Sequence, residues 1–524
     1  MAPSVIHLPD GQTITAQPVF SGLFFKSNDL NNRHSPFPAG WTVVLHTEDR
    51  DQGHQSNGDA QQHQTDDAAA PHADRDHESR RHIRKFTTPT LQNDTIFISS
   101  ISTPSSDDFE PAKSPSRQIA LMLYISLYWY FQQPEPSPYL ETAQSRHTPA
   151  AARPKGEWRI NIKREGVLHS RNMIPKLERM GLISSLDSAV GTCVDENSEG
   201  WDSMYVTRQS FWQIPFGEFL FSLQPRRRGS HPGSPISSRP TSPVKNESGQ
   251  RHFHSPESSL GLLSADLPGG TVPTAVASNP VVPLSPYYSA SHLPTYYPPA
   301  PLQYVVTNGV RHPLRPKPPR MGEIFYTRYV PTVGKYLSFR VASVSNKPVP
   351  FLGPVSGSPR EHEHLMTLSD TSLLQMWLSN PRVSKFWGEY HGSFLTDALK
   401  MKHSFPAIGM WDGVPFGYFE LYWVKEDILG KYTNAEDFDR GVHVIIGEEW
   451  ARGKVPQWLS SLAHWVWQAD IRTMNICLEP RVDNEKFIEH LQNEGFHKER
   501  QIAFPHKQSW LVRLARDNWT GPRL

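Results

Sequence analysis

The stretch "DRGVHVIIGEEWARG" (439–453) sets one histidine inside a run of β-branched apolar residues, then passes through a glycine into two glutamates, an arginine and a second glycine. The run reads as a buried strand. The segment that follows, "VPQWLSSLAHWVWQ" (455–468), reads as a helix with an aromatic-rich face. A strand–turn–helix of this kind delivers the chain to a helix start, where unpaired N–H groups and the positive end of the helix dipole can hold an anion. Arg452 and Lys454 would add charge-assisted contacts to a pyrophosphate there, and Gly453 would let the backbone approach it. The bland alternative is an ordinary βα turn. On the strand, period two puts Gly441, His443, Ile445 and Gly447 on one face and Val442, Val444 and Ile446 on the other. Glycines flanking His443 would leave space above the strand for a ligand or another backbone. A neutral imidazole, with a reference pKa of about 6.5, suits a general base; the same residue could equally be a core histidine satisfied by hydrogen bonds.

Working outward, "TMNICLEP" (473–480) reads as the next strand and "NEKFIEHLQNEGF" (484–496) as a helix ended near Gly495. In the loop between them Asp483 or Asn484 would cap the helix, or would present a carboxylate or amide to a substrate near His443 if the two strands are neighbours. Upstream, "EIFYTRYV" and "GKYLSFRVASV" read as strands, and "SDTSLLQMWLSNPRV" (369–383) as one helix capped by Ser369 or Asp370. "FPAIGMWDGVPFGYFELYWV" (405–424) reads as a hairpin turning at "DGVP". Trp387, Glu389, Glu420, Tyr422 and Lys425 fall near element ends. Their acidic members could hold the ammonium of an amino-acid-like substrate; packing and exposed surface are the alternatives. The pattern predicts an α+β class with a mixed sheet flanked by helices.

The 524-residue length is too great for one core, and the composition divides it. Residues 1–225 read as an N-terminal α+β domain, interrupted by a polar insertion at about 48–85 whose central part lacks aromatic, valine, leucine and isoleucine residues and cannot offset its ordering entropy. "IALMLYISLYWYF" (119–131) is too short to span a bilayer and reads as a buried helix. Residues 226–322, rich in Pro, Ser and Tyr, read as a flexible linker, and 323–518 as the second domain. A formal charge of +1 gives no global field for nucleic acid or an anionic membrane. Two distant cysteines, Cys193 and Cys477, form no disulfide framework or zinc pattern, so a reducing cytoplasmic compartment and no metal are expected. Pro522-Arg523-Leu524 only loosely matches a peroxisomal tripeptide.

Five pieces of the C-terminal half, "NPRVSKFWGE", "DGVPFGYFELYWVKEDILG", "DRGVHVIIGEEWARG", "EPRVDNEKFIEHLQNEGF" and "FPHKQS", together resemble the siderophore-biosynthesis acyltransferases of the GNAT superfamily, which acylate a hydroxylamine nitrogen. In the N-terminal half, "LPDGQTITAQPVFSGLFFKSNDL" and "GEWRINIKREGVLHSRNMIPKLERMGLI" resemble the fungal branch, the N5-hydroxyornithine acyltransferases. The resemblance implies a GNAT fold in the C-terminal half, with acyl-CoA between two splayed strands, and leaves open a GNAT-like N-terminal domain. It implies His443 as the catalytic histidine, Asp483 as an acidic partner, and the turn from Gly447 and Glu448 through Arg452, Gly453 and Lys454, with Asn484, as the cofactor-binding set. Trp387, Glu389, Glu420, Tyr422 and Lys425 would contact the acceptor. The co-substrate would be acetyl-CoA or anhydromevalonyl-CoA, the partner N5-hydroxyornithine, and the assembly a homodimer. The adjacent pair Arg452-Gly453 departs from the usual Arg-x-x-Gly-x-Gly/Ala loop, and the helix bearing Phe487 lacks the tyrosine with which many GNAT enzymes protonate the leaving thiolate. Two other readings stay open: a GNAT fold kept for interaction alone, and a GNAT enzyme acting on ordinary amines.

Overall fold

The computed structural model describes residues 2–28, 40–50, 81–102, 115–140, 142, 144–170, 173–185, 204–216 and 302–524. Cys193, the central part of the polar insertion and residues 226–301 of the expected linker lie outside the described residues. The N-terminal unit contains strands β1 (Ser4–His7), β2 (Thr13–Val19), β3 (Gly22–Ser27), β4 (Gly40–Arg50), β5 (Arg81–Lys85), β6 (Asp94–Ser102), β7 (Arg159–Ile162), β8 (Ser184–Ser185) and β9 (Met204–Thr207), with helices α1 (Pro115–Tyr130), α2 (Met173–Arg179) and α3 (Arg208–Trp212). A hairpin, β10 (Tyr304–Thr307) and β11 (Val310–Pro313), follows. The C-terminal unit contains β12 (Ile324–Val330), β13 (Lys335–Val341), α4 (Asp370–Leu378), α5 (Pro381–Trp387), α6 (Phe394–Lys400), β14 (Ser404–Trp411), β15 (Val414–Trp423), β16 (Arg440–Ile446), α7 (Val455–Ala469), β17 (Asn475–Leu478), α8 (Glu485–Asn493), β18 (His497–Ala503) and β19 (Gln508–Ala515).

The C-terminal sheet runs β12-β13-β14-β15-β16-β17-β19-β18. All its pairs are antiparallel except β16 with β17, which are parallel and joined through α7. That parallel pairing covers Arg440 with Ile476 and Gly441 with Cys477. Beyond it the strands part, so the remaining length of β16 has a partner on its β15 side alone. The hairpin of β14 and β15 turns at Asp412 and Gly413, both at positive φ (47° and 88°), as a two-residue turn matched to strand twist requires. The single helix expected over 369–383 is two. Asn380 is extended, its side chain accepts from the Arg382 N–H, and Pro381 opens α5 because its ring cannot continue α4. Helix α6 had no counterpart in the sequence reading.

The N-terminal sheet repeats this topology. Its order is β1-β2-β3-β4-β6-β7-β9-β8, with β5 attached to β4, and β6 and β7 are its parallel pair, joined by the buried helix α1. The two ends of the expected disordered insertion are therefore ladder strands: β4 runs to Arg50 and pairs with Arg81–Lys85. The expected linker likewise ends in the β10–β11 hairpin, tied to the C-terminal unit by Tyr304 on Asp437 and by Arg315 on Glu426.

The units share one continuous apolar cluster. Arg208 of α3 donates to the Thr520 and Pro522 carbonyls (2.9 and 3.2 Å), and Arg516 donates to Gln213. His7 of β1 stacks on Tyr329 of β12 with ring centroids 4.0 Å apart. No helix among the described residues is long and apolar enough to cross a membrane.

Candidate active site

Register across three strands builds the site. On β15, Tyr418, Glu420 and Tyr422 share a face. They lie opposite Ile445, His443 and Gly441 of β16. Gly441 in turn pairs with Cys477 of β17, so Glu479, two residues further on, falls in the row of His443. The result is a line of side chains, Glu420–His443–Glu479, laid across the point where β16 and β17 part. His443 Nδ1 lies 2.9 Å from Glu420 Oε2, and Nε2 lies 2.9 Å from Glu479 Oε1. Tyr418 donates to Glu420 Oε1 (2.7 Å) and Tyr422 to Glu479 Oε2 (2.8 Å). Lys507, from the β18–β19 turn, donates to the Glu479 carbonyl at 3.1 Å and approaches its carboxylate at 3.4 Å. Trp387 of α5 packs edge-on to the imidazole, 6.0 Å between centroids, and its indole N–H donates to the Val444 carbonyl (3.1 Å).

The His443 side chain keeps 26% of its exposure, against 5% for Glu479, so reagents reach the ring from one side while the carboxylate behind it is enclosed. Burial works against charge on the ring, but Glu479 and Glu420 outweigh it and hold the imidazolium well above the ordinary histidine range. Glu479, despite its burial, is held well below the ordinary carboxylate range by His443 and then Lys507. Burial, then the neighbouring carboxylates, push the Tyr418 and Tyr422 phenols well up, so both remain donors. Cys477, one row below the histidine, is fully buried and its thiol is pushed up to about 12, first by burial. A thiol so held forms no nucleophilic thiolate near neutral pH, so Cys477 does not serve as an acyl carrier.

The glycines flanking the histidine do not leave open space. A Cβ on Gly441 would sit 2.1 Å from the Tyr422 ring, and one on Gly447 would sit 2.2 Å from Trp377. Both glycines are there to admit an aromatic ring. Asp483, expected beside His443, is instead exposed and held in a bidentate pair by Arg481 (2.6 and 2.8 Å). The chain leaves the sheet after Glu479, so a residue four positions on is carried out to the surface. Glu479 takes the place expected of it, and Glu479, Tyr418 and Lys507 were not singled out in the sequence. The signal for Glu479 was its even spacing from Cys477, readable once the strand register is known. Of the expected acceptor contacts, Trp387, Glu420 and Tyr422 are brought together. Lys425 pairs with Asp437, and Glu389 is exposed.

The expected phosphate turn forms a 3-10 segment, Glu449–Lys454, running directly into α7. That helix start carries no side-chain cap and no acidic residue in its first turn. Arg452 is exposed and makes no hydrogen bond or ion pair among the described residues; a Cβ at Gly453 would meet nothing within 4 Å. Lys454 donates to the Trp450 carbonyl (3.0 Å) and lies over its ring. Arg382, unremarked in the sequence reading, donates to the Gly447 carbonyl (2.7 Å) and pairs with Glu449. Burial and then the charge of Arg452 push its guanidinium below its ordinary range. Glu448 accepts from the Trp377 indole (2.7 Å) and so holds the turn rather than an anion. Asn484 stands at the start of α8 without making a cap hydrogen bond. The parted strands, the cationic turn and the uncapped helix start are features with which an acyl-CoA could be held.

Among the described residues, the parted strands of the N-terminal unit carry no such row. By register, Val43 and Ile98 stand where Glu420 and His443 stand in the C-terminal sheet. The turn Gly166–His169 packs into its parting, and a Cβ on Gly166 would meet the Ile98 carbonyl at 2.2 Å.

A mixed sheet parted between two parallel strands, with a basic turn opening the crossover helix, defines an acyltransferase of the GNAT class. The model of the acetyltransferase (GNAT) domain family matches residues 367–504. The chain is 53% identical to the N5-hydroxyornithine acetylase sidL of Beauveria bassiana, over 97% of this chain and 100% of that one. It is 35% identical to the N(5)-hydroxyornithine:cis-anhydromevalonyl coenzyme A-N(5)-transacylase SIDF of the same fungus, over 40% of this chain and 42% of that one. It is also 35% identical to the N(6)-hydroxylysine O-acetyltransferase of Escherichia coli, over 39% and 59%. The chain belongs to the N5-hydroxyornithine acetylase family of GNAT acyltransferases.

Proposed function

We infer that the chain transfers an acyl group from acyl-CoA to the hydroxylamine nitrogen of N5-hydroxyornithine, forming a hydroxamate for siderophore synthesis. Acetyl is the favoured donor group, because the relative matched over its whole length is named an acetylase and because the Tyr422 ring fills the space beside His443. The observation that carries the reading is the row Glu420–His443–Glu479 at the mouth of the parted strands. A hydroxylamine is far less basic than an alkylamine, so its nitrogen is unprotonated near neutral pH and needs positioning more than deprotonation. Trp387 would wall the acceptor against His443, and Glu420 would be the carboxylate nearest its nitrogen. A backbone N–H on the unpaired length of β16 would stabilise the thioester oxyanion.

The test is thiol release by the full-length protein with acetyl-CoA and N5-hydroxyornithine, against ornithine and against longer acyl-CoAs. Turnover with the hydroxylamine and acetyl-CoA is expected; turnover with ornithine alone would overturn the reading. His443→Ala should lower kcat by about 10²–10⁴, with CoA affinity by calorimetry nearly unchanged.

A further inference from the structure

Both partners of the His443 ring are carboxylates, and an ionised carboxylate only accepts hydrogen bonds. With each ring nitrogen 2.9 Å from such an oxygen, both nitrogens must donate. Tyr418 also donates to Glu420, while Tyr422 and Lys507 serve Glu479, and each Glu420 oxygen keeps a lone pair beyond the one donor it accepts. Those are the titratable groups facing the ring from β15, from the end of β17 and from the β18–β19 turn; α5 contributes only the non-titrating Trp387. A ring that already carries both protons has no lone pair with which to act as a base.

We propose that His443 works as the proton donor to the departing CoA thiolate, that Glu420 is the base, and that Glu479 is the positioning residue that keeps the histidine charged. This rests on the acyltransferase reading above. The hydroxylamine nitrogen attacks the thioester carbon, a C–N bond forms, and the carbonyl π pair moves to oxygen. The N–H proton passes to the Glu420 carboxylate. As the tetrahedral centre collapses, the C–S bond breaks with its electron pair on sulfur, and the Nε2 proton of His443, held until then by Glu479 at the end of β17, leaves that bond and passes to the sulfur. The Glu420 carboxyl then gives its proton to solvent, the bare Nε2 takes one up from solvent, and the row is reset. One proton has moved from nitrogen to sulfur with no net exchange with solvent. The assignment supplies the acid that Phe487 on α8 does not. The two flanking carboxylates raise the ring's pKa well above the ordinary histidine value, so the proton stays on the ring until the thiolate forms beside it.

The experiment is nitrogen NMR of the full-length, ¹⁵N-imidazole-labelled protein without substrate, with the His443 signals assigned by their loss in His443→Gln. Both ring nitrogens should remain protonated from about pH 6.5 to about pH 8, and Glu479→Gln should lower the midpoint by at least about one unit. A neutral, singly protonated ring in the wild type at neutral pH overturns the proposal. Kinetics supply the second arm. An essential imidazolium gives a kcat that falls on the alkaline side, and Glu479→Gln should move that limb to lower pH, with Glu479→Asp restoring part of it. A kcat that instead rises through the histidine titration makes His443 the base and sinks the assignment. Absence of any thiol release from the wild type would defeat the acyltransferase reading, a result separate from the NMR outcome.

Discussion

The ring of Tyr422 lies across the face of Gly441, on the neighbouring strand, so closely that a β-carbon there would stand 2.1 Å from the ring. The same ring is tilted against His443, with centroids 4.5 Å apart, and is tethered to Glu479. The glycine therefore sets where the tyrosine sits, and the tyrosine sets where Glu479 and the imidazole meet. Gly441→Ala should displace the ring, destabilise the fold by about 1–3 kcal/mol and abolish most turnover. Thermal melting and kcat measure the two effects, and a variant with full activity would show that the ring placement is immaterial.

Asp483 is spent on Arg481 at the surface. Asp483→Ala should leave kcat and KM within about fivefold of the parent, as for other exposed ion pairs. Steady-state kinetics with hydroxyornithine are the check; a loss of a hundredfold would return Asp483 to the chemistry and contradict the geometry.

At the start of α7, Arg452 has no protein partner among the described residues and Gly453 faces open space. Arg452→Ala should raise the KM for acyl-CoA about tenfold with little change in kcat, the mark of lost uniform binding, and the penalty should shrink as salt is added. Gly453→Ala should leave melting unchanged, while Gly453→Trp should raise the same KM. Equal KM values in all three variants would remove the diphosphate from this turn.

His464 of α7 is buried between Tyr326 and Gln468 at the seam of the two units, with Trp212 and Trp519 against its ring. Burial, then Arg328, lowers its pKa to about 3. The unfolded chain, titrating at about 6.5, binds a proton that the native state refuses. Stability from this residue is therefore intact above about pH 6.5 and is lost as pH falls toward 3, by about 1.4 kcal/mol per pH unit. Denaturant melts between pH 7 and pH 5 should show that slope, reduced in His464→Gln. An unchanged slope would place the acid sensitivity elsewhere.

The strand–turn–helix at 439–468 and the strand, loop and helix that follow it were legible because alternation, turn residues and helical period are local properties. So were the buried helix α1 and the hairpin turn at Asp412-Gly413. The two-helix break at Asn380-Pro381 was less legible, since apolar spacing runs on across it. The strand pairings that bracket the polar insertion were not legible, because their partners are remote along the chain.

For the site, the sequence by itself determined that His443 and Glu420 lie on strands and that a cationic turn opens a helix, for each depends on neighbours a few residues away. Only the tertiary structure decided that Glu479, not Asp483, meets the imidazole, and that Tyr422 and Trp377 occupy the space over the two glycines. The physical reason is register. Which residue of one strand stands beside which residue of another is set by the whole sheet, and a shift of one residue would turn Glu479 to the opposite face.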